Sequence, residues 1–503
     1  MTEANFSTHL HAPFSPIFLV LFNLLFIFIL CSIFHAYSPK VWAVPGPFFA
    51  KFSRVWYLRQ VSHRDFQKTN IELHRRYGPV VRIAPNEFSI DDPEAVKIIY
   101  GHGTQYSQWY RASGHPNIPD LFTDQNSRRH AVLRRKVASL YSMTTLLRME
   151  PCVEQCTALL TERLREFAQS QAMFNLQYWL QCYAFDLIGL ITVAKRFGLL
   201  DDGTDPHGLF PSLHSYLVYC SHVGIYNEIH PILYTILSYL GRGGGHLRNF
   251  TSEQVQKRIQ ALVDVEHKPG SGDDFLAKVM QKHGEDPENF TMNEVFVTCM
   301  TNIGAGSDTT SISLSAILWY LLKSPEAFGK LRAEIDDMTA NGEIADPVTF
   351  QNAQRMPYLQ AVIKEALRMH PATGLPFGRV VPKRGATIAG TFFPEGSIVG
   401  INSWVAHNNT DVFGEDAASF RPERWLQSEE RTQKMERYYI PFGHGSRTCI
   451  GKNISLMEIS VLIPQLVRAF DFELVDPEAE LECENLWFVK QKNVFCRVSM
   501  RKF

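Results

Sequence analysis

A cysteine near the C-terminus stands in the run Phe442-Gly443-His444-Gly445-Ser446-Arg447-Thr448-Cys449-Ile450-Gly451. A cysteine beside glycines is, taken alone, more often a small buried hydrophobe than a ligand. The neighbours here point the other way. Gly445 and Gly451 keep the loop tight and let backbone come close to a flat cofactor. Amide N–H groups, and the start of a following helix, stabilise a thiolate. Arg447 supplies a cation for an acidic group on such a cofactor, and Phe442 offers an apolar cover over the sulfur.

Three further groups could do or support chemistry. Ala305-Gly306-Ser307-Asp308-Thr309-Thr310 lies inside a long apolar periodic stretch. Glycine and adjacent hydroxyl residues are poor helix material, so a local distortion is expected there. Such a distortion makes room for small ligands beside an acid and an alcohol, Asp308 and Thr309. Glu365 and Arg368, three apart, share one helical face, a pairing worth only a few tenths of a kcal/mol on a surface. His130 and Arg134 stand four apart in a basic run that, by itself, reads as a solvated helix face.

The Cys449 loop matches every position of Phe-x-x-Gly-x-Arg-x-Cys-x-Gly and resembles the haem-binding loop of the cytochrome P-450 family. The resemblance extends through nearly the whole chain after the N-terminal apolar segment. It implies a mainly α fold with a minor β-sheet subdomain, and Cys449 as the proximal thiolate of the iron of haem b. Such a ligand pushes electron density towards the iron and favours cleavage of O2. It implies that Asp308 and Thr309 are the acid–alcohol pair that relays protons. Glu365 and Arg368 then form a structural triad with Arg424 of Phe420-Arg421-Pro422-Glu423-Arg424-Trp425, holding the loop that positions Cys449. His130, Arg134 and Arg379 become propionate partners beside Arg447.

The implied reaction is insertion of one oxygen atom into a lipophilic small molecule. Electrons come from NADPH through cytochrome P-450 reductase, with cytochrome b5 as a second donor. Gly374-Leu375-Pro376, Arg379-Val380-Val381-Pro382 and Trp487-Phe488-Val489-Lys490-Gln491 are similar to fungal specialised-metabolism members near pisatin demethylase, pointing to hydroxylation or demethylation. A haem-thiolate isomerase or dehydratase without O2 has no use for the Asp308–Thr309 relay. A xenobiotic-detoxifying oxidase would differ in substrate rather than in machinery. A membrane haem-binding sensor or electron carrier would fill both axial positions with His or Met; His444 sits inside the Cys loop and cannot reach the opposite face.

The elements that must position these residues are legible in outline. Thr291 and Glu294 form a capping box that opens a helix running to Leu322. Ser324-Pro325-Glu326 caps the next helix. Val80 to Ile83 and Glu87 to Ile90 read as a strand pair, and Asp92-Pro93-Glu94 as a helix start. Ala386 to Ile388, Thr391 to Phe393 and Ser397 to Ile401 are short β-type runs, with Pro394-Glu395-Gly396 predicted to turn the last two into a hairpin. The family's substrate-contacting regions fall at Trp109 to Phe122, Phe210 to Leu240, Asn302 to Ala305, Leu375 to Phe377 and Trp487-Phe488, mostly apolar or aromatic.

The N-terminus reads as an anchor. Phe14 to Phe34 is almost wholly apolar, and about 20 residues at ~1.5 Å each span a ~30 Å hydrocarbon layer. No Lys or Arg precedes Lys40, so the positive-inside rule puts the short tail in the lumen and the rest in the cytosol. The expected organisation is a lumenal tail at 1–13, a transmembrane helix at 14–37, a Pro/Gly hinge at 38–48 and one catalytic domain at 49–503. The expected location is the endoplasmic reticulum membrane, single-pass, with Asn5-Phe6-Ser7 as a lumenal glycosylation sequon. A net charge of -1 over 503 residues argues against nucleic acid as a partner. Nine scattered cysteines spell neither a zinc site nor a disulfide framework.

Overall fold

The computed structural model describes residues 41–240, 245–264 and 274–502, together with Val20, Asn23 and Ile27. The predicted transmembrane helix and the Asn5 sequon therefore lie outside the described residues, apart from those three positions. Among the described residues no helix is long and apolar enough to cross a membrane. Where it is described, the Pro/Gly segment that follows is packed onto the body. Val41 and Val44 are buried, Arg82 N–H donates to the Pro45 carbonyl at 2.8 Å, and the Arg82 guanidinium donates to the Val41 carbonyl.

Helices dominate, with four small sheets among the described residues. Five helices position the site: α1 (Ser127–Ala138), α2 (Leu176–Val193), α3 (Met292–Leu322), α4 (Pro357–Met369) and α5 (Lys452–Ala469). The α3 start is the expected capping box. Thr291 Oγ1 accepts the Glu294 N–H at 3.4 Å, and the Glu294 carboxylate accepts the Thr291 N–H at 2.6 Å. Helix α3 is apolar nearly all round because it passes through the core, with α2 packed along it. Helix α1 is capped by Asn126, whose side chain accepts the N–H groups of Arg128 and Arg129.

The predicted distortion at Ala305–Thr310 does not occur; α3 runs as one helix for 31 residues. The hydroxyls explain why. Ser307, Thr309 and Ser313 each donate one turn back, to the carbonyls of Ile303, Ala305 and Thr309, at 2.8–3.0 Å. Their polar atoms are thus satisfied within the helix rather than competing with it.

The largest sheet has five strands in the order Val80–Ala84, Glu87–Ile90, Ile398–Gly400, Arg379–Val380, Gln105–Tyr106. The predicted pairing of the first two is present, antiparallel with Val80 opposite Ile90. The hairpin predicted across Pro394-Glu395-Gly396 is absent. Ala386–Ile388 pairs instead with Thr391–Phe393. Ala389 and Gly390, both at positive φ, close that hairpin with the twist that two-residue turns favour. The chain then crosses to lay Ile398–Gly400 parallel to Glu87–Ile90. That crossing puts Arg379 opposite Val399 on one side and Tyr106 on the other.

Candidate active site

The Cys449 loop is held by its own backbone. Cys449 N–H donates to the Phe442 carbonyl at 2.9 Å, Thr448 N–H to Gly445 at 3.1 Å, and Gly443 N–H to Ile440 at 3.0 Å. Gly443 and Gly445 lie at φ +71° and +70°, where L side chains are strained. A Cβ on Gly445 would also overlap the Tyr100 carbonyl oxygen, so glycine is required there on two counts. Gly451 is less constrained, since an added Cβ would meet only the Cys449 sulfur at 4.0 Å. Burial raises the Cys449 thiol. The Gly451 N–H, the Arg134 charge and the Lys452 N–H all pull it back by favouring thiolate. Phe442 is half-buried, with Lys452 over its ring at 5.6 Å.

Arg134, which favours the thiolate, forms a cluster of four bases with His130, Arg447 and Arg379, with little acid to answer them. Arg447 lies over the Tyr106 ring at 4.3 Å, and Arg379 over the same ring at 4.2 Å. Burial, then the charges of Arg447 and Arg134, pull the buried His130 down to about 4. The nearby Asp124 is already bound to Arg129, at 2.6 and 2.8 Å. The terminal nitrogens of Arg447 are buried with no hydrogen-bond partner among the described residues. Buried guanidinium groups left this way cost several kcal/mol each, order of magnitude. A ligand carrying two carboxylates answers the deficit, and the residues present fit haem. Arg379 has less to give, because its Nη1 already donates to the Phe377 and Gly378 carbonyls.

The triad predicted at Glu365, Arg368 and Arg424 is assembled and fully buried. Glu365 accepts from Arg368 at 2.8 and 2.9 Å, from Arg424 at 2.8 Å, from the Trp425 indole at 2.9 Å and from the Arg421 N–H at 3.0 Å. The two arginines also donate to the carbonyls of His407, Phe413, Asp416, Ala417 and Ser419. Every charge is therefore met, as a buried ion cluster requires.

Sequence reasoning missed the residue that carries this order to the loop. His407 donates Nδ1–H to the Arg368 carbonyl at 2.9 Å and accepts the Ile440 N–H at Nε2, also 2.9 Å. Ile440 is two residues before Phe442. Accepting at Nε2 requires a neutral ring, and burial pulls His407 down to about 3. No short motif marks it, since its partners lie 39 and 33 positions away.

On α3, Ala305 is exposed between the half-buried Gly304 and Gly306, whereas Ser307 and Asp308 are buried. A Thr310–Ser455 hydroxyl bond of 3.2 Å ties α3 to α5 close by. Thr309 shares the Ala305 turn through its 2.8 Å bond to the Ala305 carbonyl. Asp308 is turned elsewhere. Its Oδ1 accepts from the Gln181 side chain of α2 at 2.5 Å, and it makes no hydrogen bond to Thr309 among the described residues.

Four of the five regions expected to contact substrate meet at Trp487. It stacks on Trp109 at 4.4 Å and meets Tyr110, Phe377 and Phe122 edge-on at 5.7, 6.0 and 6.4 Å. The Phe210 to Leu240 region reaches the same wall through Gly224, where a Cβ would press on the Trp109 indole. Asn302 does not join them, because its side chain accepts from Tyr141 at 2.6 Å.

The comparisons agree with this geometry. The cytochrome P-450 family model matches residues 45–496. Pisatin demethylase of Fusarium vanettenii is 40% identical over 486 residues, covering 94% of this chain and 91% of the relative. A cytochrome P-450 monooxygenase of Aspergillus terreus is 36% identical over 446 residues, 85% of this chain and 89% of the relative. Another, from Penicillium aethiopicum, is 34% identical over 493 residues, 94% and 95%. A chain matched over nearly its whole length, with the cysteine loop and its basic surround in place, belongs to the cytochrome P-450 family.

Proposed function

We propose that this haem-dependent monooxygenase hydroxylates or demethylates a lipophilic, aromatic small molecule in fungal secondary metabolism, with Cys449 as the axial ligand. The observation that carries the reading is the Cys449 sulfur, served by the Gly451 and Lys452 N–H groups and the Arg134 charge, in a loop whose Arg447 guanidinium is unanswered. When bound, haem b supplies the O2-splitting chemistry, fed by electrons from NADPH through a reductase. Arg447, Arg134 and His130 hold its propionates, with Arg379 in support. Thr309, oriented by the Ala305 carbonyl, holds a proton on the α3 side. Trp487 and the rings around it exclude water and bind the apolar substrate. The 40%-identical relative is named pisatin demethylase, which supports demethylation here.

We also place the chain in the endoplasmic reticulum membrane, with cytochrome P-450 reductase and cytochrome b5 as donors. The apolar run of residues 14–34 supports this. So does a surface stripe of Ile229, Ile232, Ile236, Tyr239 and Leu240, all exposed at helical spacing. Exposed Phe48, Phe49 and Val55 adjoin it, since Arg54 donates to the Ile225 carbonyl at 2.8 Å and to Glu228 at 3.0 Å.

The test is spectroscopic and then catalytic. The reduced, carbon monoxide-bound protein should absorb as a thiolate complex and consume NADPH when substrate is added. Cys449→Ala should abolish both. Retained turnover in that variant would overturn the assignment.

A further inference from the structure

We propose that Lys490 and Gln181 are positioning residues for Asp308, linking its carboxylate to solvent and to the turn that carries Trp487. The inference rests on the reading of Asp308 as the acid of the proton relay. Asp308 is only 2% exposed, and a carboxylate buried that deeply needs donors. Two are supplied, both on Oδ1. The Gln181 amide donates at 2.5 Å, and the Lys490 ammonium lies 3.7 Å away. Lys490 also donates to Gln181 Oε1 at 2.7 Å. The amide therefore has a carboxylate before its nitrogen and an ammonium before its oxygen, which sets its orientation.

The three groups come from three elements, α3, α2 and the Phe488–Gln491 strand, and they differ in exposure. Gln181 is 2% exposed, whereas the Lys490 side chain is 26% exposed. Lys490 is thus the end of the cluster that meets water. Its strand begins one residue after Trp487, the hub of the aromatic wall. Pinning Oδ1 leaves Oδ2 as the atom that takes a proton from the Lys490 side and passes it towards Thr309.

The test uses the full-length, haem-loaded protein with cytochrome P-450 reductase and 7-ethoxycoumarin as an O-dealkylation probe. Peroxide formed per NADPH, which needs no product, is read with the D2O isotope effect on NADPH consumption. The reduced carbon monoxide spectrum and thermal midpoint report haem seating and folding. Asp308→Asn should raise the peroxide share several-fold. Lys490→Met and Gln181→Leu should each raise it in the same direction and enlarge the isotope effect, with the thiolate spectrum kept. Lys490→Arg should restore most of the coupling, and Lys490→Met added to Asp308→Asn should change nothing more. If Asp308→Asn uncouples while neither Lys490→Met nor Gln181→Leu does, the positioning role is overturned and the relay stands. Additive effects in the double variant overturn it as well. If Asp308→Asn leaves the peroxide share unchanged, the relay reading itself fails.

Discussion

On the Cys449 side of the site the working groups are backbone amides and glycine turns within one loop, and a buried ion cluster whose members span residues 365–424. On the Thr309 side they are side chains brought from far apart: Gln181, Lys490, Trp109 and Trp487 come from elements separated by up to about 380 positions along the 503-residue sequence. The first side holds a cofactor that does not change, so the cluster beneath it is over-determined, and each charge of Glu365, Arg368 and Arg424 is met by several donors or acceptors. The second must admit a substrate and protons. It is built from ring contacts and a three-member polar cluster. Rigid parts are over-bonded here, and adaptable parts rest on a few contacts gathered from across the fold.

The sharpest way to break this contrast is to remove the centre of the rigid side. Glu365→Ala leaves two fully buried guanidinium groups without their carboxylate. A cost of about 3–5 kcal/mol follows, seen as loss of folded, haem-loaded protein on expression. A variant of normal yield and melting temperature would show that the cluster is not what holds the loop.

Acid probes the same side next. His407 and His370 are fully buried and pulled down from 6.5 to about 3 and about 4. At pH 7 both are neutral folded and unfolded. As pH falls below 6.5 the unfolded chain takes up protons first, so stability drops by about 1.4 kcal/mol per pH unit for each histidine until its folded value is reached. Melting midpoints measured from pH 7 to 4 should fall accordingly, and His407→Gln should flatten the slope. A slope untouched by that change would remove His407 from the pathway between triad and loop.

Arg447→Leu tests whether the basic cluster is cofactor binding or ordinary packing. Loss of one charge-assisted bond costs about 1.5–3 kcal/mol, roughly a 10- to 100-fold faster haem loss, measured by transfer to a haem-free globin. Unchanged release would reassign the four bases. The smallest effect belongs to the adaptable side. Trp487→Phe trims one ring contact of about 1 kcal/mol, so 7-ethoxycoumarin affinity should fall about fivefold with the carbon monoxide spectrum intact. A spectral change instead would mean that the wall supports the haem seat rather than substrate.

Sequence reading did well where a function is written in neighbouring residues. The Cys449 loop and the Glu365–Arg368 spacing could be read directly, because their partners lie within one turn or one loop. The α3 capping box was legible for the same reason. It did less well where a polar group had two ways to be satisfied. The hydroxyls of α3 were expected to disrupt the helix and instead bond back along it. The strand after Pro394 was given to the wrong partner because pairing is decided across the sheet, not at the turn. His407 and Gln181 carried no local signal at all.

From the sequence alone came the thiol loop and the family it resembles, since a ten-residue pattern is written in neighbouring positions whose spacing the backbone fixes. Tertiary structure alone decided which side chain faces which. It turned Asp308 towards α2 and Lys490, gathered distant aromatics around Trp487 and routed the triad to the loop through His407. The physical reason is that burial makes every unmet charge or donor costly, and the partner that meets it is chosen by packing in three dimensions rather than by position along the chain.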